Sequence, residues 1–446
     1  MITFFPTNRL PITAQRSHER GSVLIIVMWV AFGLVSIALY FAHSMTFELR
    51  ASENRVASLE AEQAIAGAAR YVNYLLTNLA TNGAVPDPTT YQREAALVGE
   101  ARFWLIGRGD HQGTPAEPFF NLVDESSKLN LNTATLDMLT ALPRMTPELA
   151  AAIIDWRDAD STVSPGGAET DTYMRLQPPY NCKNAPFETL DELRLVYGAD
   201  WDILYGEDVN LNGVLDPNEN DGPLSPPNDN RDGRLDPGIF EYLTVYSRQP
   251  NARTNVNTTR ELTALLQQKL GTARANQILR RPGVTAGNRS VLEFYLKTQM
   301  TADEFAQIAS TITVTNSSYI EGLINVNTAS ADVLACVPGI GTDKAQALVA
   351  YRQSNPDKLT SVAWVAQALD RSSAIQAGPY LTVESYQFTA DIAAVGHHGR
   401  GYSRARFSFD VSEGAPKIRY RQDLTRLGWA LGQTTRQRLL LAKELR

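Results

Sequence analysis

The sequence has little cysteine and no surplus of positive charge. Only Cys182 and Cys336 occur among 446 residues, which excludes a disulfide-stapled scaffold and a zinc site built from several cysteines. The pair is compatible with one disulfide in an oxidising compartment or with two buried free thiols. The formal net charge is -7, and because binding along phosphate backbones needs a basic surface, this balance argues against nucleic-acid binding.

Motifs of enzyme active sites are also missing from the sequence. The five histidines are dispersed except for His397 and His398, which are adjacent in a predicted turn. There is no nucleophile elbow, no phosphate-binding loop and no zinc-protease helix motif. We therefore predict a protein without catalytic residues, whose ordinary hydrophobic and charged content is typical of globular domains.

One long uncharged apolar stretch is present at residues 22–42. A helix of about 20 such residues spans the ~30 Å hydrocarbon core of a membrane. The residues before it carry an excess of arginine, which predicts a cytoplasmic N-terminus and a single-pass membrane protein with its bulk outside the cytoplasm. The arginines are Arg9, Arg16 and Arg20.

The helical pattern continues beyond this stretch to about Leu76. Small apolar residues recur at three- and four-residue spacing, as in a helix that buries one face, and include Ala57, Ala61, Ala64, Ala68 and Val72. Short apolar runs at 101–106 and 119–123 then predict strands. Residues 386–395 and 402–411 form a hairpin pattern with further strand residues at 417–420, so helix comes first and sheet last.

Three segments between these parts open with Asn-x-Asn-Thr, at Asn130, Asn255 and Asn325. Asn and Thr suit the start of a helix because they cap its free amides. Each opening leads into a helical hairpin and ends in a short run with a central threonine, at 243–245, 312–314 and 381–383. We predict three tandem units, of which the first carries an insertion near residues 160–236. Shared caps without common ancestry are the alternative.

The third unit contains Pro338-Gly339-Ile340-Gly341, the signature of a helix-hairpin-helix. This element is most often a clamp on the DNA backbone, since the second helix begins with free amides. However, Lys344 and Arg352 are balanced here by Asp332 and Asp343. We therefore interpret the hairpins as packing units.

The insertion holds a calcium-loop motif. Oxygen-bearing side chains occupy positions 1, 3, 5, 9 and 12 of a twelve-residue EF-hand loop, with Gly213 at the bend. The predicted ligands are Asp208, Asn210, Asn212, Val214 through its carbonyl, Asp216 and Glu219. Flanking helices are not evident, so we predict one structural Ca²⁺ rather than a sensor hand, with a solvated Asx-rich turn as the alternative.

A second, weaker copy of the loop follows. Its candidate ligands are Asn228, Asn230, Asp232, Arg234 through its carbonyl, and Asp236, with Gly233 at the bend. Ile239 stands where the final glutamate belongs. An ordinary Asx-rich turn is the stronger alternative for this copy.

Several segments together resemble minor pseudopilin K of bacterial type II secretion systems. They are the Gly21-Ser22 junction, which is similar to a prepilin leader, with Ile26 instead of glutamate at the fifth position after it, and the segments 129–133, 154–158 and 184–193. The resemblance implies cleavage between Gly21 and Ser22 by prepilin peptidase, N-terminal methylation, and a tip complex with pseudopilins I and J on the pseudopilus, built at the inner-membrane assembly platform. The alternative is a membrane-anchored DNA receptor of competence type, which would need a basic hairpin pair at the chain end.

The predicted fold class is α+β. A pilin-like module, with one long helix and an antiparallel sheet, is interrupted by a large, mainly α-helical insertion of SAM-like, helix-hairpin-helix repeats. The predicted parts are the leader 1–21, the transmembrane helix 22–42, the pilin-like helix and first strands 43–129, units at 130–247, 255–315 and 325–383, and C-terminal strands and tail at 384–446.

Overall fold

The computed structural model describes residues 20–79, 83–109 and 117–444, with side chains described from Val23 to Leu441. It divides into two units, Met1–Val56 and Ala57–Arg446. The predicted leader lies outside the described residues except for its last two positions. Gly21 and Ser22 are therefore described only as helical backbone.

The first unit is described from Arg20 onward and is helical throughout. It contains the beginning of α1, Arg20–Thr77. The apolar side chains of this stretch are exposed, as at Leu24 and Trp29. By length and composition α1 is the one helix among the described residues that could cross a membrane. A helix that is apolar all round fits a nonpolar surrounding, so α1 fits a transmembrane anchor.

The second unit contains the remaining helices and strands. Its helices are α2 Leu136–Thr140, α3 Pro147–Arg157, α4 Thr170–Tyr173, α5 Trp201–Tyr205, α6 Thr259–Leu270, α7 Thr272–Leu279, α8 Val291–Thr298, α9 Ala302–Ala309, α10 Ala331–Ala335, α11 Gly341–Ser354, α12 Val365–Ala368, α13 Arg371–Ala377 and α14 Gly432–Glu444. Its strands are β1 Ala96–Val98, β2 Ala101–Ile106, β3 Val123–Asp124, β4 Leu129–Asn130, β5 Leu243–Thr244, β6 Arg248–Pro250, β7 Thr254–Asn255, β8 Ile312–Thr313, β9 Tyr319–Glu321, β10 Ile324–Asn325, β11 Leu381–Thr382, β12 Gln387–Val395, β13 Ser403–Asp410 and β14 Lys417–Asp423.

An antiparallel sheet in the order β1-β2-β12-β13-β14, with β3 also paired to β12, packs against the part of α1 that belongs to the second unit, residues 57–77. The small residues predicted to face inward, such as Ala64 and Ala68, are fully buried, which lets the helix lie close to the sheet. Phe388 and Ile392 of β12 are buried in the same core. The long helix, the antiparallel sheet and the predicted hairpin are confirmed.

The end of the chain differs from the predicted strands and tail. The last described element is α14, and the sheet ends at β14. Ala430 and Leu431, just before α14, are buried with Trp104 and Val395 on the sheet. Consecutive leucines near 439–441 give no clear helical spacing, so the sequence pattern did not reveal this helix. The predicted strand at 119–123 is also wrong, since β3 begins only at its last residue.

Each of the three predicted helical units is closed by a short parallel strand pair. Strand β4 pairs with β5, β7 with β8, and β10 with β11. The opening strand contains the first asparagine of each motif, and the closing strand contains the threonine. In the first and third pairs the apolar partners in register are buried, and in the second pair Ile312 is buried opposite Thr254. The two ends of each unit therefore meet at its strand pair.

The sequence analysis expected the first asparagine of each unit to cap a helix, but none of the three does. Instead, Asn130, Asn255 and Asn325 each accept a hydrogen bond from the amide two residues later, at 2.8 to 2.9 Å. The hydroxyls of Thr135 and Ser330 cap α2 and α10. The asparagine amides reach back to the residue three positions after the closing threonine, namely Ser247, Asn316 and Ser385.

The first and third units share a further contact. Arg157, in the last turn of α3, donates to the carbonyl oxygens of Leu131 and Ala134. Arg352, in the last turn of α11, donates to the carbonyl oxygens at the matching positions of the third unit, 326 and 329. Descent of the units from one ancestor, and a SAM-like fold for each, stay predictions.

Two glycines lie where the 207–236 segment begins and ends, and there the backbone comes close to itself. Gly206 forms an antiparallel bridge with Pro237 and has φ 59°. A Cβ on Gly206 would lie 2.3 Å from the carbonyl oxygen of Asp236, and one on Gly238 would lie 2.2 Å from that of Leu204. Because the backbones touch here, side chains larger than hydrogen are excluded.

A buried carboxylate joins the sheet to the third unit. Asp124, on β3, accepts hydrogen bonds from Thr328 and Ser385 at 2.6 Å and from Asn325 at 3.1 Å. Burial raises the pKa of Asp124 to about 6, against the opposing effect of the hydroxyl donors. Asp124 thus holds the opening of the third unit and the residue that follows its closing strand to the same point on the sheet.

We expect Asp124→Ala to destabilise the full chain by about 3 kcal/mol, since the buried Asn325 and Ser385 and the half-buried Thr328 lose a charged acceptor. Chemical denaturation in detergent, followed by tryptophan fluorescence, measures this loss. The exposed Asp357 provides the control, and Asp357→Ala should stay within about 0.5 kcal/mol of the wild type. Equal effects of the two substitutions would contradict the role of Asp124.

Candidate functional site

The first predicted calcium loop, residues 208–219, follows α5 and ends in a 3-10 turn at Pro217–Glu219. Leu211 and Gly213 have positive φ values of 55° and 72°, which curl the chain around Asp208. The two carboxylate oxygens of Asp208 accept from the amides of Asn212 and Gly213, each at 2.9 Å. The backbone is thus bent in the manner that the motif requires.

The carboxylates of the loop are gathered in a buried place. Glu219 accepts from the amides of Val209 and Asp216 at 3.2 and 3.0 Å, and the side chains at 208, 216 and 219 are at most 7% exposed. Burial raises the pKa of Glu219 to about 8, and the charges of Asp208 and Asp216 add to this. Burial also raises the pKa of Asp208, although Arg108 opposes the shift.

The residues present fit a divalent cation. Three buried carboxylates repel one another, and a cation among them would remove that repulsion. The amide nitrogens of Asn210 and Asn212 donate to Asp216 at 2.7 and 3.0 Å, and the buried oxygen of Asn210 has no hydrogen-bond partner. Oxygen ligands of this kind are those that calcium prefers, with Val214 supplying a backbone carbonyl.

The second predicted loop, residues 228–239, repeats the backbone of the first. Arg231 and Gly233 have φ values of 56° and 75°, at the positions of Leu211 and Gly213. The side chains of Asn228, Asn230, Asp232, Arg234 and Asp236 are exposed. Asn230 and Asp232 each accept from the amide two residues later, so these residues form Asx turns. Calcium binding by this loop stays a prediction.

Glu207 fills the place of the glutamate that the second loop lacks. Its carboxylate accepts from the amides of Asn230 and Asp236 at 3.3 and 3.0 Å, much as Glu219 accepts from Asp216 in the first loop. Ile239 is fully buried in the apolar core instead. The sequence analysis missed Glu207 because it precedes both loops, and a motif search looks only at the twelfth position.

A second acidic cluster lies outside the predicted loops. Carboxylate oxygens of Asp158, Asp160 and Glu169 lie within 4.8 Å of one another. Glu169 is 3% exposed, and neither of its oxygens has a hydrogen-bond partner. The amide oxygen of Asn184 is also buried and unpaired, while its nitrogen donates to the carbonyl of Asp160 at 2.6 Å. Burial raises the pKa values of Asp158 and Glu169.

This cluster is a candidate cation site, since the buried carboxylate of Glu169 and one buried oxygen of Asp158 have no hydrogen-bond donor, and such groups call for a positive charge. The sequence analysis used residues 154–158 only as a family marker. The alternation of Asp158 and Asp160 could have indicated ligands, whereas the approach of Glu169 across the turn at Gly166 could not be read from spacing.

The helix-hairpin-helix of the third unit packs against α13. A Cβ on Gly339, which has φ 87°, would lie 2.7 Å from the Cβ of Gln376. Lys344 donates to Ser373 and lies 3.2 Å from Asp370. Arg352 is buried and donates to carbonyls of its own unit. Because these cations serve internal contacts, the geometry favours the packing interpretation over a DNA clamp.

The two cysteines are buried free thiols. Burial raises the pKa of Cys182 to about 11 and that of Cys336 to about 12. The disulfide alternative is therefore excluded in this structure, and protonated thiols are poor nucleophiles.

Comparisons with known proteins identify two segments. Residues 121–205 match the family model of type II secretion system (T2SS), protein K, and residues 321–362 match that of the helix-hairpin-helix motif. The chain is 29% identical over 204 residues to type II secretion system protein K of Pectobacterium carotovorum subsp. carotovorum, covering 42% of this chain and 61% of that protein. The protein K of Klebsiella pneumoniae is 27% identical over 196 residues, covering 41% and 59%.

The chain therefore spans about three fifths of the length of the curated relatives it matches. A solved structure, the GspK-GspI-GspJ complex of the type 2 secretion system of enterotoxigenic Escherichia coli, aligns with a TM-score of 0.44 and 13% identity over 84% of this chain and 98% of that one. The family model and the curated relatives confirm the resemblance to type II secretion protein K. These relatives are named as secretion-system components.

Calcium at about a hundredfold its dissociation constant should stabilise the full chain by roughly 2.7 kcal/mol through the first loop, relative to chelator. Glu219→Gln should remove this gain and lower the number of bound calcium ions by one, because it removes a bidentate ligand. Thermal melting and calorimetric titration in detergent measure the two effects.

The matched control is Glu261→Gln, which changes an exposed glutamate in the first turn of α6. It should bind as many calcium ions as the wild type. If Glu219→Gln also binds calcium like the wild type, residues 208–219 are an ordinary Asx-rich turn.

Proposed function

We propose that this chain, a relative of type II secretion system protein K, is a minor pseudopilin that supports protein export across the outer membrane. The proposal rests on the combination of two features in one chain. One is the apolar helix α1, which continues into a helix packed on an antiparallel sheet. The other is the segment 121–205, which matches the protein K family.

In this function α1 first anchors the protein in the inner membrane. The arginines before residue 22 favour an N-terminus in the cytoplasm, with the rest of the chain in the periplasm. The exposed apolar surface of the helix would exchange lipid for the helices of neighbouring pseudopilins when the fibre is assembled. We propose that the inner-membrane assembly platform of the secretion system drives that step.

The partners we propose are minor pseudopilins I and J, which would join this chain at the tip of the pseudopilus. The helical units are inserted between β3 and β12 and make the chain bulky beside its sheet. A subunit that carries such a mass in its sheet-containing part is suited to the end of a fibre, where no further subunit has to be added beyond it.

The chemistry of the described residues supports a structural role rather than catalysis. The thiols are buried and protonated, and His397 contacts Glu60 at 2.7 Å in a turn of the sheet. We propose that the acidic sites of the insertion hold structural calcium. A DNA-receptor function is not favoured, because the cations of the hairpin in the third unit are engaged within the protein.

Deletion of the gene should retain in the periplasm the proteins that the system normally exports, and the full chain should restore their export. Co-purification in detergent of this chain with pseudopilins I and J from the same cell tests the proposed complex. Asp357→Ala, on an exposed turn of the insertion, serves as a variant that should behave like the wild type in both assays. Normal export without the chain would reject the proposed function.

The mature protein should begin at Ser22 in cells that contain prepilin peptidase, and Gly21→Asp should block this processing. N-terminal mass spectrometry of the purified chain distinguishes the two forms and reports methylation of Ser22. Ser17→Ala, within the same leader, leaves the junction intact and should be processed normally. Retention of Met1 in the wild type, or a cut after residue 42, would refute the leader.

A further inference from the structure

A fully buried arginine of the sheet is bound by the backbone of the first loop. Arg404 lies on β13 with no exposed surface. Its Nε and Nη2 atoms donate to the two carboxylate oxygens of Asp391, each at 2.7 Å. Its guanidinium also donates to the carbonyl oxygens of Asn210 and Leu211, the latter at 2.8 Å. The loop thereby supplies two hydrogen-bond acceptors to a charge that water does not reach.

The charge of this pair is fixed. Burial alone would raise the pKa of Asp391, but the neighbouring Arg404 and Arg406 hold this pKa at about 2. An ionised Asp391 uses its two oxygens for the arginines, and two further donors of Arg404 have the loop carbonyls as their acceptors. When the loop leaves this position, those donors lose their protein acceptors and must be hydrated instead.

A second arginine holds the same stretch of the loop. The Nη2 atom of Arg108, which follows β2, donates to the carbonyl oxygen of Leu211 at 3.2 Å and lies 3.9 Å from Asp208. Its Nε atom bonds the carboxylate of Glu241 at 2.7 Å. The side chain of Arg108 also packs against Gly213, where an added Cβ would lie 3.4 Å from it.

The conformation that offers these carbonyls is the one that gathers the acidic side chains. Leu211 has φ 55°, a left-handed conformation that is unfavourable for a residue with a side chain. The same turn brings Asp208, Asp216 and Glu219 together, where their charges repel. A cation among the carboxylates therefore stabilises both the acid cluster and the carbonyl positions that Arg404 needs.

We propose that calcium in the first loop locks the 207–236 segment onto the sheet through Arg404, so that the two parts are joined firmly only when the ion is bound. This inference rests on the calcium binding proposed above. Because the two binding events are thermodynamically linked, the contact of the loop with Arg404 also tightens calcium binding. The contacts of Asp124, and that of Arg248 with Asp410 at 2.8 Å, do not involve the loop. They hold the insertion to the sheet without calcium.

Hydrogen exchange of the full chain in detergent, with calcium alone as the probe and with chelator, tests the coupling. If opening of the loop releases both calcium and Arg404, calcium at about a hundredfold its dissociation constant should slow exchange about a hundredfold at residues 208–219 and equally at β13. Peptides that cover β6, beside the calcium-independent contact of Arg248, provide the internal control and should change far less.

Arg404→Lys separates the two effects. A lysine ammonium can remain beside Asp391 but cannot reach both loop carbonyls with a planar fork. In this variant calcium should still slow exchange in the loop, whereas β13 should no longer respond. The matched control is Arg406→Lys, on the same strand and paired with the same carboxylate at 2.8 Å, which should retain the wild-type response.

Glu219→Gln should abolish the response in both regions, and it tests the coupling even if Arg404→Lys does not fold. Calcium protection confined to the loop of the wild-type chain would overturn the coupling and leave the calcium site intact. Protection in neither region would overturn both. Export and co-purification decide the pseudopilin function separately from either outcome.

Discussion

The arrangement of this protein depends on one constraint, which is that its buried carboxylates must be bound by hydrogen-bond donors or arginines. The helical units and the sheet have separate apolar cores, so apolar burial stabilises each part but does not fix how they are joined. Asp124, Asp391 and Asp410 of the sheet are at most 5% exposed. Each accepts hydrogen bonds either from residues of the insertion or from an arginine that also binds the insertion. Because a buried charge tolerates few geometries, these contacts define one arrangement.

Local patterns in the sequence revealed the elements whose cause is local. Alanines at helical spacing predicted the buried face of α1, and alternation with β-branched and aromatic residues predicted the hairpin of β12 and β13. The bend of the first loop could be predicted because its candidate ligands and its glycine lie within twelve residues. Helix α14 could not, since its burial depends on the turn near Gly399 and on Trp104, far away in the sequence.

The parts of the candidate sites that sequence spacing missed are those assembled by tertiary contacts. Glu207 reaches the second loop from before the first, and Glu169 meets Asp158 only because the chain turns at Gly166. Of the arginines that bind the first loop, Arg108 follows a sheet strand and Arg404 lies on one, about 100 and 190 residues away in the sequence. A motif defines the residues that can bind an ion, but the neighbours that hold their backbone follow from the fold.

The closure of each helical unit at its own base explains how this insertion can hold several of them. The parallel strand pair brings the two ends of a unit together. The side-chain amide of the opening asparagine then binds a residue just after the closing strand. The chain enters and leaves a unit closed in this way at one point. Another unit can therefore be added beside it without moving the sheet strands on either side. The contact between Asp124 and the third unit shows where such growth is limited. The last unit must return the chain to β12, and its opening asparagine is bound to the sheet itself.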